Sequence, residues 1–170
     1  MTTMQMFLAL GAALLLSLII LTTNTKTLLT EDVMYDSNFG ITATSIASSV
    51  IEDASKKRFD NIFYIDSTAV YNSSDFTSSA SLGIDSGEVL TDPHTFNDFD
   101  DYNGYSGVDS TMPSAIFSFS STVSYVNQNT PDVSINSQSF HKKITVKVWS
   151  ESMKDTMVMS SIFSYWSFLP

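Results

Sequence analysis

The first charged side chain in this sequence is Lys26, and everything before it, MTTMQMFLALGAALLLSLIILTTNT, is neutral. At 1.5 Å per residue the apolar part, Met1–Leu21, makes a helix about 31 Å long, close to the hydrocarbon thickness of a bilayer. This segment can span a membrane. Three readings compete for it: a secretory signal peptide, a permanent single-span anchor, and a helix that leaves the membrane to be buried in a polymer. A signal peptide needs a basic stretch ahead of the apolar run and a small-x-small cleavage site after it. Here nothing basic precedes the run, and TTNTKTLL follows it. An anchor without flanking Lys or Arg has little to orient it by the positive-inside rule. A basic leader already removed would account for that absence.

The polymer reading also has a packing argument. Relative to the membrane a helix gains little by bundling, so close contact has to decide the matter, and Ala9, Gly11, Ala12, Ala13 and Ser17 are small residues that permit close helix approach. Small residues are also common in any membrane span, and the sequence leaves the two readings level. Beyond the span, Thr22, Thr23, Asn24 and Thr25, with Thr27, are poor helix formers gathered in one place, where a local unwinding is expected. Leu29, Val33, Ile41, Ile46, Val50 and Ala54 then recur at mostly helical spacing among polar residues, an apolar stripe that carries the helix to about Arg58. The expected partner of that stripe is the chain's own C-terminal part.

The remainder changes period. Residues 61–115 begin with the apolar run Phe63, Tyr64 and Ile65 and continue as an irregular region rich in Ser and Asp, with a lone sequon at Asn72. In Ile116–Val126, Phe117, Phe119, Val123 and Tyr125 alternate with Ser and Thr, and in Lys142–Trp149, Ile144, Val146 and Val148 alternate with Lys143, Thr145 and Lys147. Both patterns are half-buried strands. The stretch NQNTPDVSINSQS reads as a long hairpin loop between them, and Asp155–Phe168 supplies a third strand. The expected fold class is α+β: a long N-terminal helix, hydrophobic and then amphipathic, packed on a C-terminal antiparallel β-meander. Its sections are residues 1–25, 26–60, 61–115 and 116–170.

Charge and chemistry narrow the function. Eighteen acidic against eight basic residues give a net charge of −10, which disfavours nucleic acid as the main ligand. There is no cysteine, hence no disulfide, thiolate metal site or Cys nucleophile. His94 and His141 have no ligand partners at metal spacing, and no G-x-S-x-G occurs, so no enzyme is expected. The one arguable site is FNDFDDYNGYSGVDS, where Asp98, Asp100, Asp101, Asn103 and Asp109 are candidate oxygen ligands for Ca²⁺. The spacing departs from D-x-[DN]-x-[DN]-G because Phe99 stands where the first aspartate should be, and a solvated acidic turn is the favoured reading. Lys142 and Lys143 read as charges on the solvent face of a strand.

An apolar span fused to an amphipathic half-helix, then a variable loop, then an antiparallel meander, resembles the type IV pilins and the pseudopilins of type II secretion. FNDFDDYNGY, the strand ending VSYVN and the run HKKITVKVWS are similar to the prepilin-type minor pilins of mannose-sensitive haemagglutinin systems. The resemblance implies a homopolymeric helical filament at the cell surface, held in the inner membrane before assembly and built by pilus assembly machinery. It implies Met1 as the mature N-terminus after removal of a leader. The assembly helix would present Gln5, Phe7, Leu10, Gly11, Leu14, Ser17, Leu18 and Leu21. Two departures stand out. The family's fifth residue is usually Glu, pairing with a neighbour's amine, and here it is Gln5; the family often has a proline where this helix has Thr22–Thr25. An anchored single-span binding module and a minor pseudopilin are the alternatives.

Overall fold

The computed structural model describes residues 2–62, 70 and 72–168. Met1 and the run Phe63–Ile65, both singled out above, lie outside the described residues. The chain divides into two units, Met1–Phe39 and Gly40–Pro170. One helix, α1 (Thr3–Ser55), runs through both.

In the first unit α1 is continuous through Thr22–Thr25, which corrects the expected unwinding for the chain by itself. The reason lies in the same threonines. Thr22 Oγ1 donates to the Ile19 carbonyl at 3.0 Å, Thr25 to Leu21 at 2.9 Å, Thr27 to Thr23 at 3.0 Å and Thr30 to Lys26 at 2.9 Å. Each hydroxyl bonds a carbonyl one turn back, so side chains that compete with the helix elsewhere are satisfied within it. Leu29 and Val33, expected in the buried stripe, are exposed.

In the second unit the helix buries Val50 and Ala54 of the expected stripe, with alanines beside them in place of its larger members. Ala43, Ala47 and Ala54 are fully buried with Val50, while Ile46 is half-buried and Ile41 is exposed. Alanine in place of larger residues lets the helix backbone lie close to what covers it. Ser48 Oγ meets Met159 Sδ at 3.6 Å and Thr42 Oγ1 meets Met112 Sδ at 3.8 Å. The helix stops at Ser55, short of Arg58.

Among the described residues five antiparallel strands follow: β1 (Ser106–Asp109), β2 (Phe117–Asn127), β3 (Thr130–Ile135), β4 (His141–Trp149) and β5 (Met157–Ser164). Their order is β1-β2-β4-β5, with β3 also pairing to β2. The expected strands at β2 and β4 are present. The stretch expected as a long loop contains β3, and the acidic loop runs into β1. The last strand ends at Ser164 and gives way to a 3₁₀ turn, Tyr165–Phe168. Register aligns Phe119 with Val148, Ser121 with Val146, Val123 with Ile144 and Tyr125 with Lys142. Those eight residues are all buried, so one face of the sheet makes the core, and Lys142 belongs to it. At that end of the sheet Phe59, Phe76 and Tyr165 close an aromatic cluster with Tyr125.

Candidate functional site

Two features stand apart from ordinary packing, one in each unit. The first is the charge-free half of α1. It is long and apolar enough to cross a membrane, and none of its apolar window is buried within the chain. Phe7 is 79% exposed and Leu14 61%; Leu10, Leu18 and Leu21 are similarly bare. A Cβ added at Gly11 would meet nothing within 4 Å. Gln5 turns its Oε1 toward the start of its own helix, accepting the Thr2 N–H at 3.1 Å. Leucines on every side of a helix are stable only among lipid or other apolar helices.

The second feature is a buried charge cluster that sequence reasoning missed. Lys142 is 0% exposed. Its ammonium donates to Asp60 Oδ2 at 2.9 Å, to the Phe59 carbonyl at 2.7 Å and to Asp100 Oδ1. The rings of Phe59 and Tyr125 flank the nitrogen at 4.7 and 5.4 Å from their centroids. The expected solvent-face lysine is thus a core residue. Period two requires it, because residues 142, 144, 146 and 148 share one face of β4. Lys143 remains on the outer face.

Asp60 is held by Thr77, whose N–H donates to Oδ2 at 3.1 Å and whose hydroxyl donates to Oδ1 at 3.0 Å. Asp98 Oδ1 accepts the Asp100 N–H at 2.8 Å, which holds the two residues side by side. Burial, followed by the charge of Asp100, pushes the Asp98 pKa up to about 9 against the opposing pull of Lys142. Burial likewise raises Asp100, with Lys142 acting against it. For Lys142 burial opposes the ammonium, but the charges of Asp100, Asp60 and Asp98 outweigh it and hold the pKa above its ordinary value. Burying such charges is costly unless each has a partner, and removing one partner leaves an uncompensated charge in the core.

The five candidate calcium ligands do not converge on one point. Asp100 contacts Lys142, and Asp98 accepts the Asp100 N–H. Asp101 Oδ2 accepts the N–H groups of Asn97 at 2.9 Å and Asp98 at 3.0 Å. Burial raises Asp101 to about 7, the two N–H groups oppose the rise, and the Glu88 carboxyl adds to it. Asn103 stitches loop to sheet, accepting the Val123 N–H at 3.0 Å and donating to the Leu82 carbonyl at 2.9 Å. Asp109 closes a turn at the end of β1 by accepting the Thr111 N–H at 2.8 Å. Asp98, Asp100 and Asp101 are at most 2% exposed, which corrects the solvated acidic turn. Among the described residues no group of three or more His, Asp or Glu is placed to hold a metal ion. His94 lies exposed in a loop and His141 opens β4. No family model matches the chain, and neither a curated protein nor a solved structure matches it.

Proposed function

We propose that the chain is a structural subunit of an extracellular filament of the type IV pilus kind, built by bundling N-terminal helices, with residues 40–170 as its head. The observation that carries this reading is the bare, charge-free half of α1, whose large apolar side chains the chain itself leaves uncovered. Lipid covers it before assembly and neighbouring copies cover it afterwards. Ala9, Gly11, Ala12, Ala13 and Ser17 allow the close approach that such bundling needs. Gln5 would offer a neighbour's amine a neutral hydrogen-bond acceptor in place of a carboxylate. The fold order, helix then antiparallel sheet, agrees with the pilin resemblance. The role is architectural, with no catalysis and no resident cofactor.

A permanently anchored binding module would use the same helix, and a minor pseudopilin would use it at low copy number, so the test has to separate them. Surface appendages are sheared from native cells, and the protein in the sheared fraction is measured for polymer size, abundance and N-terminal residue. An abundant polymer beginning at Met1 after loss of a leader supports the filament subunit. A few copies in a short fibre would favour the pseudopilin. Protein found solely in the membrane, as a detergent-soluble monomer, would overturn the filament in favour of the anchored module.

A further inference from the structure

Lys142, Asp60, Asp98 and Asp100 have no part in the filament reading, yet they form the most heavily buried polar group described above. We propose that Lys142 and Asp100 become joined by an intramolecular isopeptide bond between Nζ and Cγ. The geometry already has the arrangement of a reacting pair. Nζ is in direct contact with Asp100 Oδ1, one bond from the carbon it would attack. Its remaining bonds, to the Phe59 carbonyl at 2.7 Å and Asp60 Oδ2 at 2.9 Å, fix its position. The aromatic rings around it exclude water.

In water an amine and a carboxylic acid do not condense, because both ionise and the surrounding water favours hydrolysis. Inside this site both obstacles shrink. The ion pair and the neutral pair differ by one proton moved along the contact between Nζ and Oδ1, and burial favours the neutral forms. The raised pKa of Asp100 reflects that preference, while that of Lys142 shows the opposing hold of the carboxylates. Fixed contact also replaces a bimolecular encounter by a unimolecular step.

The neighbours supply the proton transfers. Nζ of the neutral amine attacks Cγ of the Asp100 carboxylic acid, and the Nζ–Cγ bond forms. Asp60 Oδ2, which accepts a hydrogen bond from Nζ, takes one proton from the nitrogen. Asp98 holds a proton at neutral pH and is kept beside Asp100 by accepting its N–H at 2.8 Å, so it gives that proton to the departing hydroxyl. The Cγ–O bond breaks and one water leaves. The proton gained by Asp60 equals the one lost by Asp98, and no oxidant or reductant takes part. The product ties β4 to the 3₁₀ turn Asp100–Tyr102, closing a loop across 42 positions of sequence.

The test is mass spectrometry of the full-length chain, extracted in detergent, denatured and digested. We expect a protein lighter by one water and no tryptic cut after Lys142. Because trypsin leaves Asp100 and Lys142 in one stretch, residues 59–142, a second digestion with chymotrypsin should then release a branched peptide that joins the Asp100 segment to the Lys142 segment. The branched peptide locates the bond whatever else alters the chain ends. Linear peptides at full mass would overturn the proposal. So would a lost water found within a linear aspartyl peptide, which is a succinimide. Two variants test the chemistry. Asp100→Asn should form the same link with loss of ammonia in place of water. Asp98→Asn, folded by circular dichroism, should remain at full mass or link far more slowly; linking as fast as the wild type would remove Asp98 from the mechanism. Loss of filament assembly would leave all these masses unchanged, so the two readings fail separately.

Discussion

Replacing Asp98 by Asn should flatten the dependence of stability on pH. Asp98 is 1% exposed, and its pKa is pushed up to about 9, by burial first and by Asp100 second. In the unfolded chain an aspartate ionises near pH 4. Between about pH 4 and about pH 9 the folded chain therefore holds a proton that the unfolded chain has released, and stability falls as pH rises. One proton corresponds to about 1.4 kcal/mol per pH unit, so the full linkage from about pH 5 to about pH 8 is about 4 kcal/mol. In a chain whose Lys142 and Asp100 are unlinked, Asp98 titrates together with both, so the share specific to Asp98 is smaller than the full linkage, on the order of 2 kcal/mol. Asn keeps the shape and a donor but has no titrating proton. The assay is denaturant unfolding of the full chain in detergent micelles at several pH values, followed by the fluorescence of Trp149 and Trp166. Trp166 stacks on Phe140 with ring centroids 5.3 Å apart, so its emission reports the head. We expect the wild type to lose about 2 kcal/mol more than Asp98→Asn across the window. A constant offset between the two proteins does not bear on the argument. Parallel slopes, or a steeper one in the variant, would refute it.

Three further outcomes are expected. Gly11→Arg or Leu14→Asp should abolish filaments seen by electron microscopy while the circular dichroism of the head stays native; normal filaments from either would sink the bundling model. Gly107→Ala should destabilise the head by about 1–3 kcal/mol, because a Cβ there would lie 2.7 Å from Phe119 Cζ on the partner strand; an unchanged denaturation midpoint would contradict this. Ala47→Leu should cost a similar amount, about 1–3 kcal/mol by overpacking, while Ser45→Ala on the exposed side should be near neutral, a contrast that thermal unfolding would read directly.

The elements legible in the sequence were those whose pattern and physical driving force agree. β2 and β4 alternate because one face is core, and their parity read correctly from Phe117 to Val148. β3 was hidden because its residues are mostly exposed and include Pro131, which an edge strand tolerates but a period-two pattern does not advertise. β1 has four residues, one of them Gly107, too few to show a period. The buried stripe of α1 is legible at Val50 and Ala54, but large apolar residues are a poor guide to the rest of it. Leu29, Val33 and Ile41 are exposed, and alanines make the contact because closeness matters more there than side-chain area. The lysine cluster was half legible. Parity places Lys142 beside Ile144, but lysines ordinarily face water, and no spacing announces that Asp60 and Asp100 meet it from 82 and 42 positions away. The span itself was plain from its lack of charge.

β2 is bonded along both edges. β4 runs along one side, while β1, the Tyr105 and Gly104 backbone, the Asn103 side chain and β3 share the other. β2 can leave the sheet only by giving up the bonds on both of its edges, whereas β1, β3 and β5 fray by losing one ladder each. Local opening of the head therefore starts at its rim and reaches β2 last. The carboxyl groups of Asp98, Asp100 and Asp101 sit close to that rim: Asp100 contacts Lys142 of β4, and Phe99 between them packs on Phe163 of the edge strand β5. Their route to bulk water is a partial opening of the rim, so the rate at which protons enter or leave the cluster is set by rim fluctuations and not by global unfolding of the head.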